Sequence, residues 1–507
     1  MEDEEKNAAS TKAGNESPAA KRPYLGVEPS RLHQVPDPAS ARLSWTDGEK
    51  TIDYVATAAH LDVVDDAGKL EGEMFSLSYV AVDKDGAADA TRPVTFAYNG
   101  GPGCASVPVN FGGFGPVRVK TDGTNHLSSS AEVADNPHTL LKDSDLVFLD
   151  ALGTGWSYLA DDCDPKSVFS VDGDADAFAR AIMDWLEKNH RWSSPIYLLG
   201  ESYGTVRNAV LMRVLGERAV KLTGVVMVSA IWNWVQTLPG NDLYYLGMMP
   251  TYAAAAQYFG RAGKGVDENV WFDRAMDFAD RVLAPALLMG DRMSPEEERD
   301  VAEQLSSYIG LSADFLLERH LRVELTQFRR ELLRDEGRVC GRLDMRFCSD
   351  APSPMQSSAD WVGGEDAADD AVEANWTNAF RAFCSDKLGY HGPTVYLAEN
   401  YERVGTKWGW DHEVPGTGEK VGAPDVSGDI ATALRRNPTC KLAVVGGRFD
   451  AATTYWNVVH DLSCQFLSPQ IKENITWLRY GCGHMAYVDE PTLGALDADL
   501  HAFYERC

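Results

Sequence analysis

Two observations predict an α/β fold, with a mostly parallel central sheet covered by helices on both faces. The first is a set of short apolar runs, Val94–Tyr98, Leu146–Leu149, Ile196–Leu199, Gly224–Ser229, Leu442–Val445 and Ile475–Leu478. Each is the length of a buried strand, and helical patterns lie between several of them, the arrangement that parallel strands with crossover helices require. The second is Gly200-Glu201-Ser202-Tyr203-Gly204, a G-x-S-x-G run that follows the strand Ile196–Leu199 and precedes a helical pattern over Val206–Leu215. Strand, sharp turn and helix form a nucleophile elbow, the hallmark of the α/β-hydrolase fold.

Taken in order, the chain opens with apolar/polar alternation at Leu43–Trp45, Thr51–Thr57 and Met74–Val82, read as antiparallel strands with turns at Asp47-Gly48 and Ala67-Gly68. Val94–Tyr98 runs into the glycine-rich loop Asn99-Gly100-Gly101-Pro102-Gly103-Cys104, whose backbone can approach a ligand closely. Asp172–His190 reads as a helix from the spacing of Phe178, Ile182, Trp185 and Leu186, with Asp172 as its cap. From Trp234 to Trp376 the text turns helical and polar, with charge runs such as Pro295–Asp300 that suit a solvated face, and Ser349–Asp370 reads as a loop. A last helix is expected over Thr492–Glu505. The expected division is a polar tail over 1–35, sheet-bearing core over 36–233, a largely helical cap inserted over 234–376, and the rest of the core over 377–507.

With 507 residues and 44% hydrophobic content the chain can bury a large core. A net charge of −29 argues against a nucleic-acid groove and against an anionic membrane surface. No apolar run reaches the length of a membrane span. The nine cysteines form no C-x-x-C pair, so zinc ribbons are not expected. Cys340 and Cys348 could close a small loop or remain thiols. Met1–Pro23 is polar, without the apolar stretch of a secretory signal, and reads as a solvated tail. The expected compartment is cytoplasmic if Met1 is the natural start, and secreted or compartmental if a signal was removed.

A serine nucleophile needs a base and a group that orients the base. In elbow hydrolases the order along the chain is Ser, then Asp or Glu, then His. Of the six histidines after Ser202, His320, His460 and His501 sit in helical patterns, and His391 and His412 in loops. His484 follows the strand Ile475–Leu478 and Asp450 follows Leu442–Val445, so both fall at the carboxyl edge of the sheet, where α/β sites form. The candidate triad is Ser202, Asp450 and His484. The oxyanion hole needs two amides. Tyr203, just after the nucleophile, supplies one, and the loop Asn99–Gly103 supplies the other.

Together Asn99–Gly103, Gly200–Gly204 and Gly483-His484-Met485 resemble the motifs of the serine carboxypeptidase family, peptidase family S10, and Asp150–Ser157 resembles that family's intervening segment. The resemblance runs from about Arg42 to the end. It implies that Asn99 and Glu201 bind the substrate's C-terminal carboxylate, that Gly101 is the second oxyanion donor, and that Met485 lies near the leaving-group pocket. It implies peptide substrates with a free C-terminus and no metal or organic cofactor. Glu201 can donate to a carboxylate only while protonated, and a neighbouring carboxylate raises its pKa, so an acid optimum is expected. The sequence departs from the family pattern at Ala97, where many members carry Trp, at Thr453, where a cysteine is frequent, and in Phe111–Pro116, which lacks a second glutamate. The expected reaction is release of C-terminal residues through an acyl-enzyme on Ser202. The alternatives are acyl transfer to an alcohol or amine, small-molecule ester or amide hydrolysis, and a non-catalytic binding role.

Overall fold

The three N-terminal strands are β1 (Ala39–Thr46), β2 (Thr51–Val64) and β3 (Leu70–Ala81), paired antiparallel. The structure is a computed structural model that describes residues 35–129, 132–351, 366–392 and 394–507. Apart from Val35, the expected tail lies outside the described residues, as does most of the expected loop 349–370. The Asp47-Gly48 turn forms as expected: Asp47 Oδ1 accepts from the amides of Glu49 and Lys50 at 2.9 and 2.8 Å.

The remaining strands of the main sheet are β4 (Val94–Tyr98), β5 (Asp145–Leu149), β6 (Ile196–Glu201), β7 (Leu222–Val228), β8 (Lys441–Gly447) and β9 (Ile475–Tyr480). Their order across the sheet is β1-β2-β3-β5-β4-β6-β7-β8-β9, with Tyr158–Leu159 added beside β3. From β5 to β9 every pairing is parallel. Every residue of β4, β5 and β6 is buried, as a sheet covered on both faces demands. The register sets Tyr98 beside Gly200 and Glu201 beside Val228, so the loops after β4, β6 and β7 leave the sheet at one level.

Alternate strand residues feed two cores. Phe96, Tyr98 and Leu198 face α1 (Val171–Lys188) and α2 (Tyr203–Glu217), where Phe178, Ile182 and Val210 meet them. Ala97, Leu199 and Val228 face the opposite side, with residues of the helices later in the chain, such as Phe380 and Leu496. Between β7 and β8 the chain adds no strand to the main sheet among the described residues. This stretch includes α3 (Asp242–Tyr258), which with Phe272, Leu305 and Phe328 builds a third core. Helix α4 (Glu373–Leu388) spans the expected boundary at 376, and Trp376 and Phe380 pack on the sheet side. The final helix is α5 (Glu490–Glu505), two residues longer at its start than expected.

Several local expectations are corrected. The elbow helix starts at Tyr203 rather than Val206. Helix α1 is capped by Ser170, whose side chain accepts from the Gly173 amide at 3.2 Å. Asp172 instead engages His412 Nδ1 at 2.7 Å and the Glu413 amide at 2.9 Å. His412, expected in a loop, starts a two-residue strand and is fully buried, with Asp429 at 2.9 Å on its other nitrogen. Burial pulls the imidazole pKa down, but the two carboxylates outweigh it and hold it at about 9. All nine cysteines are free thiols, and Cys340 and Cys348 stand opposite each other across a short hairpin. No helix among the described residues is long and apolar enough to cross a membrane.

Candidate active site

The elbow is built by sterics. Ser202 sits at φ 58° and ψ −127°, a conformation rare for a residue with a side chain, fixed by its amide donating to Val228 O at 3.0 Å and its carbonyl accepting from the Thr205 amide at 2.8 Å. A Cβ at Gly200 would collide with Gly204 O, and one at Gly204 would come within 3.2 Å of Tyr98 O. The small residues of G-x-S-x-G are therefore required by the turn.

The loop after β4 presses against the same turn. A Cβ at Gly100 would collide with the Tyr203 amide nitrogen, and Gly101 adopts φ +103°, which favours glycine. Gly101, Ser202 and Tyr203 line one cleft of ≈ 310 Å³, with Trp232, Tyr244 and Arg342 among the other walls. Asn99 is buried, its Oδ1 accepting from the Val109 amide at 3.0 Å and its carbonyl accepting from Arg207 Nη1 at 2.7 Å. Arg207 is itself buried and paired with Asp174 at 2.7 Å, with its guanidinium 4.0 Å from the Phe178 ring centroid.

Asp450 and His484 stand side by side at the ends of β8 and β9. His484 Nδ1 donates to Asp450 Oδ2 at 2.8 Å, which fixes the tautomer that leaves Nε2 as the base. Asp450 Oδ1 accepts from the amides of Ala452 and Thr453 at 2.8 and 2.9 Å. Burial depresses the His484 pKa, but Asp450 and then Glu201 outweigh it and the net shift is upward. Among the described residues no hydrogen bond closes between the Ser202 hydroxyl and His484. Such contacts are often long in a resting site and tighten with substrate.

Glu201 is 2% exposed, at the end of β6. Burial raises its carboxyl to about 7, against opposing effects of His484 and Tyr487. Its Oε2 has no hydrogen-bond partner among the described residues. Met485 follows His484 with its side chain packed in the core on the α5 side of the sheet.

Some supporting residues have no sequence motif. Thr453 Oγ1 lies 2.7 Å from Asp450 Oδ2 and 3.1 Å from His484 Nδ1, and it donates to Ser229 O at 2.9 Å in the alternative rotamer of its proton. Ser229 Oγ donates to the His484 carbonyl. The His484 amide donates to Leu343 O at 2.6 Å. Only Thr453 gave a signal, as a position that departs from the family pattern. The pair Arg207–Asp174 is joined only by α1 packing on α2.

A serine with a histidine–aspartate pair at the carboxyl edge of this sheet defines a serine hydrolase of the α/β-hydrolase fold. The sequence model described as serine carboxypeptidase matches residues 59–235. Serine carboxypeptidase-like 50 of Arabidopsis thaliana is 30% identical over 166 residues, covering 31% of this chain and 35% of that protein. The pheromone-processing carboxypeptidase KEX1 of Saccharomyces cerevisiae is 30% identical over 138 residues, covering 26% of this chain and 18% of that one. These matches span well under two thirds of the relatives' own length. The crystal structure of a prohormone-processing carboxypeptidase from Saccharomyces cerevisiae aligns with 89% of this chain and 91% of its own, at 14% identity and a TM-score of 0.55. Over residues 59–235 the chain is similar to the serine carboxypeptidase family.

Proposed function

We propose that the protein is a serine carboxypeptidase that removes single residues from the free C-terminus of peptides. The observation that carries this reading is the place of Glu201, a buried carboxyl next to Ser202 and, by the strand register, level with Asn99, where burial raises its pKa to about 7. A buried acid that keeps its proton near neutrality can donate to a substrate carboxylate, which an internal peptide bond does not offer.

Ser202 Oγ attacks the carbonyl of the last peptide bond as His484 takes its proton and Asp450 stabilises the imidazolium. The amides of Gly101 and Tyr203 receive the developing oxyanion. His484 then protonates the departing amino acid, and water hydrolyses the ester on Ser202. Asn99 and Glu201 hold the terminal carboxylate, and Met485 borders the leaving residue. The stretch 234–376 is the cap, and it supplies Trp234, Tyr244, Leu325 and Arg342 to the cleft wall.

The test is mass spectrometry of one peptide offered as free acid and as C-terminal amide, with a Ser202→Ala control. Stepwise loss of single residues from the free acid, reduced for the amide and absent in the variant, supports the reading. No trimming by an enzyme whose Ser202 still labels with a fluorophosphonate contradicts it, and turnover with an added acceptor alcohol or amine would then identify acyl transfer.

A further inference from the structure

Beside Glu201 lies a second buried polar atom that the mechanism above does not use. The Tyr487 hydroxyl has no hydrogen-bond partner among the described residues, like Glu201 Oε2, although the tyrosine is fully buried. Two buried polar atoms without a well-formed hydrogen bond leave capacity that a ligand can complete. The phenol stands within loose hydrogen-bonding reach of the Glu201 carboxyl and the Asn99 side chain, although neither contact is well formed.

The ring is held there by packing. Tyr487 follows the catalytic loop in the short turn Ala486–Val488, and its carbonyl accepts from Arg118, which grips Glu490 with two bonds of 2.7 and 2.8 Å. Gly112 and Gly113 make the room: a Cβ at Gly112 would meet Tyr487 Cε2 at 2.9 Å, and one at Gly113 would meet Cδ1 at 3.0 Å. Phe114 and Trp376 close the ring in at centroid distances of 6.0 and 5.7 Å.

We propose that the Tyr487 hydroxyl is a third member of the substrate-carboxylate site, donating to the terminal carboxylate alongside Asn99 and Glu201. The proposal rests on the carboxypeptidase reading of this cleft and adds a residue that determines its specificity for free acids. Glu201 donates only while it holds its proton. The phenol is different. Burial first, and then the charge and hydrogen bonding of Glu201, hold its pKa well above its ordinary value against the opposing hydrogen bond of Asn99, so it remains a donor at every working pH.

The test is made by calorimetric binding to the inert Ser202→Ala protein, with one short N-blocked peptide as free acid and as amide. Ser202→Ala is expected to bind the acid more tightly. Adding Tyr487→Phe is expected to cut that preference by roughly 10- to 100-fold, the range for losing a hydrogen bond to a charged group, with amide affinity unchanged. The Tm is expected to change little, because the deleted hydroxyl makes no well-formed hydrogen bond to the protein. Gly113→Ala, which presses on the ring but keeps the hydroxyl, is expected to lower the same preference by less, and it carries the test if Tyr487→Phe does not fold. A preference for the acid that survives both substitutions overturns the proposal. No preference in Ser202→Ala itself overturns the carboxypeptidase reading, and the proposal falls with it.

Discussion

Ser202 and the loop Asn99–Gly103 are shaped by collisions inside two short segments, where glycines stand because nothing larger fits. His484, across the cleft, is positioned by the Thr453 hydroxyl beside its Nδ1, 31 positions away, and by a hydrogen bond that its carbonyl accepts from Ser229, 255 positions away. The nucleophile side is thus written locally and fails when a small residue grows. The histidine side is assembled by the fold and loses function in steps, as single polar contacts are removed.

The comparison is broken most severely by Gly100→Ala. Its Cβ would collide with the Tyr203 amide nitrogen, which we propose as one of the two oxyanion donors. Overpacking here is expected to cost about 3 kcal/mol of stability and to abolish turnover, read by thermal melts and by loss of fluorophosphonate labelling. A stable, active Gly100→Ala protein would show that the loop can give.

On the histidine side, Thr453→Val removes one hydroxyl that Asp450, His484 and Ser229 share. Steady-state kinetics are expected to show kcat lower by roughly 10-fold with KM nearly unchanged, and stability lower by about 1–2 kcal/mol. An unchanged kcat would place the support of His484 in Ser229 and Leu343 instead.

The smallest effect lies away from the cleft and is one of pH. His412 is charged between Asp172 and Asp429, with a pKa raised to about 9 from an unfolded value near 6.5. Its stabilisation is therefore fully present below about pH 6.5 and is lost as pH rises through about 9. His412→Gln is expected to lower Tm at pH 6 and to narrow the gap to the wild type by pH 10. A gap that does not change with pH would mean that His412 acts by packing alone.

The same contrast explains what the sequence made legible. The elbow, the Asn99–Gly103 loop and the order Ser202, Asp450, His484 could be read because tight turns restrict residue type and strand ends are visible as apolar runs. The helix cap was misassigned because Ser170 and Asp172 are both good capping residues, and the choice was made by His412, 240 positions from Asp172. The Asp174–Arg207 pair and the place of Tyr487 were hidden for a similar reason. Each depends on which helix or turn the fold brings alongside, and neither leaves a motif.

The most direct measurement of the central claim, that a protonated Glu201 reads the terminal carboxylate, is kcat/KM against pH for one peptide as free acid and as ester, in the wild type and in Glu201→Gln. In both proteins the acid limb reflects His484, which must lose its proton to act as base and whose pKa is raised by Asp450. For the wild type with the free acid, activity is predicted to fall about tenfold per pH unit above about pH 7, as Glu201 ionises. The ester is predicted to show no such fall, and Glu201→Gln to be weaker but flat over the same range with the free acid. The same alkaline fall in Glu201→Gln would contradict the account, because a group other than Glu201 would then control the reading of the carboxylate.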